Sequence, residues 1–285
     1  MSSRAIDRLI QEAAPRPQAL LFTLWGDYVV HRGGEIAAGS LIRLAAELGL
    51  SEPALRAVLA RMTRSDWLKA TRSGRRSFYR LSEHGRAVIR EGTVRIFRHP
   101  RETWDGEWQI VAYSIPEPQR DLRDQFRKRL AYLGFGPLAA ATWISPHRLE
   151  TDVAALADEL GIQPYLEQFR GRYATPATAA TLAARVWPLA ELAAEYGRFD
   201  QRWRAIAAEL GTLSVSDAQA FALRVRLIHE YQRFFLRDPE LPPELLPSDW
   251  PGARATMLFD RLHEMLAVGA NRFFDAVFEG RPDRR

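Results

Sequence analysis

The chain has 285 residues, 47% of them apolar, 26% charged and none cysteine. That much apolar material excludes a disordered or fibrous chain and suffices for about two or three ordinary domains, while the lack of cysteine excludes disulfide staples, thiolate metal sites and a cysteine nucleophile. Residues 1–98 hold 17 Lys and Arg against 9 Asp and Glu, and the remaining 187 hold 23 against 26, so a polyanion-binding part precedes a mildly acidic one.

From Pro17 the apolar residues Leu20, Leu21, Leu24 and Tyr28 recur at helical spacing and predict a first helix that stops near Gly33 and Gly34. A second starts at Ser40 as N-cap, turns Leu41, Leu44, Ala45 and Leu48 inward, and ends at Gly49. Ser51 and Pro53 open a third, which runs to about Ser65 with Leu55, Val58, Leu59 and Met62 on its inner face. Residues 67–71 and 77–81 then read as strands flanking a five-residue loop around Gly74, and a helix over Glu83 to Glu91 closes the segment. Two short helices across a glycine turn, followed by a hairpin, are the pattern of a winged helix-turn-helix, whose second helix enters the major groove of DNA.

Opposite its apolar stripe the third helix carries Ser51, Arg56, Arg61 and Arg64, and the hairpin tip adds Arg72, Arg75 and Arg76. Between positions 61 and 80 seven residues are basic and one, Asp66, is acidic. A tip so charged repels itself unless it faces a counter-charge such as the sugar-phosphate backbone. Arg56 is placed for direct readout, because a guanidinium pairs bidentately with guanine, and Arg61 and Arg64 for backbone contacts. The competing role for all of them is an ordinary solvated face.

Beyond a break around Arg98-His99-Pro100-Arg101, Trp108 to Ile115 reads as a buried strand. An amphipathic helix follows, with Leu122, Phe126, Leu130 and Leu133 inside and Gly134 at its end. A strand over Ala141 to Ser145, a helix over Thr151 to Leu160 and an extended stretch from Leu166 to Tyr173 predict a small ferredoxin-like domain.

From Thr178 the chain reads as helical. Leu189, Leu192, Tyr196, Phe199, Trp203, Ile206 and Leu210 form a heptad-like stripe, the core of a bundle or the seam between subunits. Ser216 with Gln219 predicts a capping box before a helix that buries Phe221, Val225, Ile228 and Phe235. The stretch Asp238 to Gly252 interleaves five prolines with Leu241, Leu245, Leu246 and Trp250, the composition of a packed loop, and a last helix runs from about Arg254 to Phe278. The expected architecture is α+β and multidomain: a winged helix-turn-helix over 1–98, a ferredoxin-like domain over 99–175 and a helical domain over 176–285.

The stretches LAAELGLSEPALRAVLARMTRSDWL, RSGRRSFYRLSEHGR, WDGEW, IPEPQRDLRDQFRKRLAYLGFGPL, WISP and IHEYQRFFLRDPELPPELLPSDWPG together resemble the PaaX family of bacterial repressors of phenylacetate and related aromatic degradation. The resemblance covers nearly the whole chain and is most specific in LGFGPL and DPELPPELLPSDWPG. It implies a homodimer on a palindromic double-stranded DNA operator, released by an aryl-CoA thioester such as phenylacetyl-CoA. It also implies a middle domain resembling a nuclease fold of CRISPR adaptation complexes, serving here for dimerisation or framework, with the helical domain over 176–285 as the candidate for effector sensing. Such nucleases place a metal-binding Asp at the end of the first strand, where this chain has Tyr113-Ser114-Ile115, so a hard cation would lose its main ligand. A metal-dependent nuclease is the alternative reading, and no enzymatic activity is expected. For an acyl-CoA, whose phosphates call for arginine and whose aryl group calls for an apolar slot, Tyr231, Arg233 and Arg237 beside Phe234 and Phe235 are the candidates. The competing role for Arg233 and Arg237 is to tie down the proline loop through Asp238 or Asp249.

The six histidines are scattered, with no pair at ligand spacing, so no metal is expected. Neither a GxSxG elbow, a P-loop nor a GxGxxG stretch is present, and no cofactor is expected. No window approaches about 18 uninterrupted apolar residues, and the expectation is a soluble, cytoplasmic protein.

Overall fold

The computed structural model describes residues 4–12, 16–97, 103–174, 178–235 and 237–281. They form two compact units: one gathers the described parts of 1–98, 197–233 and 253–285, the other those of 99–196 and 234–252. The boundaries expected at 98/99 and 175/176 lie outside the described residues. The units are not consecutive stretches of chain, because helices from the last third pack with the first.

In the first unit α1 (Arg4–Gln11) and α2 (Pro17–Leu24) precede a π-helical turn, Trp25–Val29, and a 3-10 turn, Val30–Arg32. The helix expected through Tyr28 therefore widens in its last turn to i→i+5 bonding, and Gly33, at φ +83°, ends it. The widened turn buries Trp25, Tyr28 and Val29 together. β1 (Glu35–Ala37), β2 (Leu68–Ser73) and β3 (Arg76–Leu81) form an antiparallel sheet in the order β1-β3-β2. Between β1 and β2 the chain makes α3 (Ala38–Glu47) and α4 (Glu52–Arg64), and α5 (Glu83–Phe97) follows β3. Ser40 is not the N-cap of α3: Ala37 holds that position, and the buried Ser40 hydroxyl bonds to the main chain near the end of the last helix.

The unit is completed by parts of α9 (Leu189–Leu210) and α10 (Asp217–Phe235) and by α11 (Gly252–Val277). The capping box forms as read, with Ser216 Oγ accepting the Gln219 N–H at 3.2 Å and Gln219 Oε1 accepting the Ser216 N–H at 3.0 Å. Every residue of α10 from Ala220 to His229 is buried, so this helix is surrounded on all sides. Its apolar side chains each contribute about 1.5–3 kcal/mol by leaving water. The Phe235 side chain lies outside the described residues.

Two buried arginines on α10 fasten the amino-terminal elements. Arg224 donates from Nε and Nη2 to the two oxygens of Asp27 at 2.8 and 3.1 Å, and from Nη1 to the His263 carbonyl at 2.8 Å. Burial alone would raise the Asp27 carboxyl, but hydrogen bonds from His263 and Arg224 outweigh it and hold the group at about 2. Arg226 Nη2 donates to the carbonyls of Ile10 and Glu12 at the end of α1 and of Leu48 just beyond α3, at 3.1, 2.9 and 3.4 Å.

In the second unit β4 (Trp108–Tyr113), α6 (Arg120–Tyr132), β5 (Gly136–Ala139), β6 (Thr142–Ser145), α7 (Glu150–Leu160) and β7 (Leu166–Gly171) follow one another. The sheet order is β5-β6-β4-β7 with every pair antiparallel, the βαββαβ arrangement of ferredoxin-like domains. β5 is one strand more than the sequence pattern predicts. One face of the sheet packs on α6 and α7 through Val111, Phe126, Leu130, Phe135, Trp143 and Val153. The other is covered by α8 (Ala179–Val186) and the proline loop, where Trp108 and Ile144 meet Leu182, Trp187, Leu241 and Leu245.

This second layer explains the two most specific sequence stretches. A Cβ on Gly136 would lie 2.1 Å from Val186 Cγ1 and 2.7 Å from the Trp187 ring, so only glycine lets β5 pass beneath them. Gly134, at φ +92°, ends α6 against Pro239. The loop is pinned by Asp238, which accepts the Tyr196 hydroxyl at 2.6 Å and the Glu240 N–H at 2.7 Å, and by the Pro239 carbonyl, 2.9 Å from His147 Nε2.

Candidate nucleic-acid interface

The turn between α3 and α4 is set by main-chain chemistry. Gly49, at φ +78°, donates to the Ala46 carbonyl at 3.0 Å, and Leu50 donates to Ala45 at 2.9 Å. Those two bonds are a Schellman motif, which needs a left-handed residue after the helix end. Leu50 is buried below the turn, and Leu55, Val58, Leu59 and Met62 seat α4 on the core. Ser51 then takes the N-cap position with extended backbone, but its side chain makes no cap hydrogen bond.

With its apolar stripe committed inward, α4 exposes Ser51, Glu52, Arg56, Ala57, Ala60, Arg61 and Arg64. Arg56 bonds to Glu52 one turn earlier, Nε to Oε1 at 2.8 Å, an exposed pair of the kind worth about 0.3–0.5 kcal/mol and readily exchanged for another anion. The hairpin is tighter than expected: Ser73 pairs with Arg76, so Gly74 and Arg75 alone make the connection. Gly74 takes φ +59° at the first central position, as a type II′ turn requires. Arg72, Arg75 and Arg76 are exposed on this tip, and Arg76 Nη1 lies 2.9 Å from Glu279 Oε2. All seven residues expected at a DNA surface are thus exposed in one unit. The Glu52 and Glu279 partners are additions to that expectation, although i,i+4 spacing carries the signal for Glu52.

The three effector candidates differ in their surroundings. Tyr231 is a core residue: it is buried, stacks on Phe259 with centroids 4.0 Å apart, and has its hydroxyl 2.7 Å from Thr256 Oγ1. Arg233 is exposed. Arg237 is half-exposed and pairs with Glu191 and Glu195 of α9 rather than with Asp238 or Asp249.

At the end of β4, Ser114 donates its N–H to the Tyr165 carbonyl at 2.8 Å, and the Tyr113 ring packs edge-on against Phe126. Among the described residues no group of three or more His, Asp or Glu is placed to hold a metal ion. None of their helices is long and apolar enough to cross a membrane.

The geometry defines a class of protein: one unit carries a cationic helix and hairpin, and the other is a ferredoxin-like domain with both sheet faces covered. Family descriptions match along the chain: PaaX-like protein over residues 16–85, PaaX protein central Cas2-like domain over 101–183, and PaaX-like protein C-terminal domain over 187–276. The chain belongs to the PaaX family. It is 36% identical over 260 residues to the transcriptional repressor PaaX of Escherichia coli (strain K12), covering 90% of this chain and 82% of that relative. It is also similar to the solved structure of the uncharacterized protein Rv0674 from Mycobacterium tuberculosis, with 26% identity, a TM-score of 0.59, and coverage of 93% of this chain and 99% of that one.

Proposed function

We propose that this chain is a DNA-binding transcriptional repressor rather than an enzyme, and that α3, α4 and the β2–β3 hairpin act as a winged helix-turn-helix. The observation that carries the reading is the exposed row of Arg56, Arg61, Arg64, Arg72, Arg75 and Arg76 on one helix and one hairpin tip. Ser51 and Arg56 approach base edges at the helix start, Arg61 and Arg64 reach phosphates at its end, and the wing arginines grip the adjacent backbone. The family relationship supports a phenylacetate-type operon as the target, a homodimer as the bound form and release by an aryl-CoA thioester. Tyr231, Arg233 and Arg237 are each candidates for thioester contact, Arg233 of the first unit and Arg237 of the second as exposed cations that suit a phosphate. Release requires the thioester to prefer the non-operator conformation, and a coupling of about 1–3 kcal/mol weakens the operator complex roughly 5- to 150-fold.

The test is a gel-shift titration on a duplex from the chain's own upstream region, against random duplex of equal length, with phenylacetyl-CoA added in steps. The reading expects preference for the upstream fragment and its loss with thioester. Equal binding to both duplexes at moderate salt would overturn the repressor assignment, and preference without thioester response would overturn the effector. Arg56→Ala should cost about 1–3 kcal/mol of base discrimination at its contact.

A further inference from the structure

The residues that follow α11 lie against the start of the α3–α4 helix pair. Ser40 Oγ donates to the Val277 carbonyl at 2.8 Å and accepts the Glu279 N–H at 3.0 Å. Arg43 Nη2 donates to the same Val277 carbonyl at 2.9 Å, and the Ala37 N–H donates to the Glu279 carbonyl at 2.9 Å. Four bonds thus fix where residue 279 sits, and its side chain reaches the wing: Glu279 Oε2 is 2.9 Å from Arg76 Nη1.

The two halves of this arrangement differ in kind. The latch uses the main chain of Val277 and Glu279 and a buried serine, whereas the ion pair is exposed, with 69% of the Arg76 side chain and 48% of the Glu279 side chain accessible. An exposed pair is weak and exchangeable, so a phosphate can take Arg76 over. When it does, the carboxylate is left beside the incoming polyanion, held there by the latch. Its charge then opposes binding, and it must recruit a cation in place of the lost guanidinium.

We propose that Glu279 is an affinity-setting residue for DNA: a built-in competitor, about 200 positions from the wing in sequence, that withholds Arg76 until duplex phosphate displaces it. The inference rests on the DNA-binding reading and adds to it a residue outside the helix pair and hairpin. Because phosphates carry no sequence information, Glu279 should lower affinity for every duplex by the same factor and leave base preference alone.

The test is Glu279→Gln in the full-length protein, which removes the charge and keeps the main-chain latch. Binding to the upstream duplex and to random duplex should tighten by the same factor, about 2- to 5-fold at low salt. The salt slope should steepen by up to about one ion. Added to the Glu279→Gln variant, Arg76→Ala should cost more than it does in the wild type. Glu279→Lys should extend the gain, and unchanged thermal melting of both position-279 variants shows that the latch is intact. If Glu279→Gln leaves affinity and slope unmoved while Arg76→Ala still weakens binding, the competitor role is wrong and the DNA reading stands. If neither wild type nor Arg76→Ala favours the upstream duplex, the DNA reading fails and takes this inference with it.

Discussion

The second unit buries Gln109 and Ser145 as its polar side chains, while the first buries Arg224, Arg226 and His229 alongside its apolar core. In the second unit, apolar area and close fit hold the sheet between its two layers, down to the missing side chain at Gly136, and hydrogen bonds at Asp238 and the Pro239 carbonyl pin the loop. In the first, charge decides which elements meet: Arg224 selects the turn that carries Asp27, and Arg226 gathers carbonyls from the ends of α1 and α3. An apolar helix would accept many neighbours at similar energy, but the buried Arg224 guanidinium is matched only where the Asp27 carboxylate and the His263 carbonyl meet it. The unit carrying the proposed DNA surface is therefore the one whose geometry is electrostatically specified.

The sharpest way to break this contrast is Asp27→Leu, which leaves Arg224 buried without its anion. A loss of about 3–5 kcal/mol is expected in chemical denaturation, and Asp27→Leu combined with Arg224→Met should recover most of it. A neutral single variant would mean that the pair specifies nothing. Acid is the next lever. Burial, with the nearby Arg233 and Arg226 charges, holds His229 at about 4, below its ordinary 6.5. The unfolded chain therefore takes up the proton first as pH falls. Stability is full above about pH 6.5 and declines toward pH 4, by about 3 kcal/mol in all. Melting temperatures across that window should show the decline in the wild type and a flatter profile in His229→Gln. Gly136→Ala probes the other unit: its Cβ forces Val186 and Trp187 aside, at about 1–3 kcal/mol, and the melting curve should register that loss without the acid dependence. The smallest effect belongs to the surface, where Arg75→Ala should reduce the salt slope of duplex binding by about 0.9.

What can be read from the sequence is what is decided within a few residues. The Schellman turn at Gly49, the inner stripe of α4 and the capping box at Ser216 and Gln219 all depend on neighbours three or four positions away, and each stands where the periodicity puts it. Ser40 misleads because its hydroxyl is claimed by Val277, 237 positions distant. β5 escapes the pattern because Gly136-Pro137 reads as a turn, although those residues pair with Ile144 and Trp143. The hairpin loop reads too long because Arg72, Ser73 and Arg76 look like loop residues, yet Arg72 and Ser73 pair with Ser77 and Arg76 in the ladder. For the proposed site, the arginines are legible as an exposed cationic face, whereas Glu279 is not, since nothing local links it to the wing. Tyr231, an aromatic beside arginines in the sequence, packs its ring on Phe259, a partner that its neighbours in the chain do not announce.

Asp27 meets Arg224, 197 positions later, and Ser40 meets Val277 at the far end of α11. As the chain is synthesised, the helix pair and hairpin are made early, whereas the partners that orient them follow 197 and 237 positions later. A product that stopped short of them would leave the Tyr28 ring without Phe221 and Phe274, the aromatic partners that close over it.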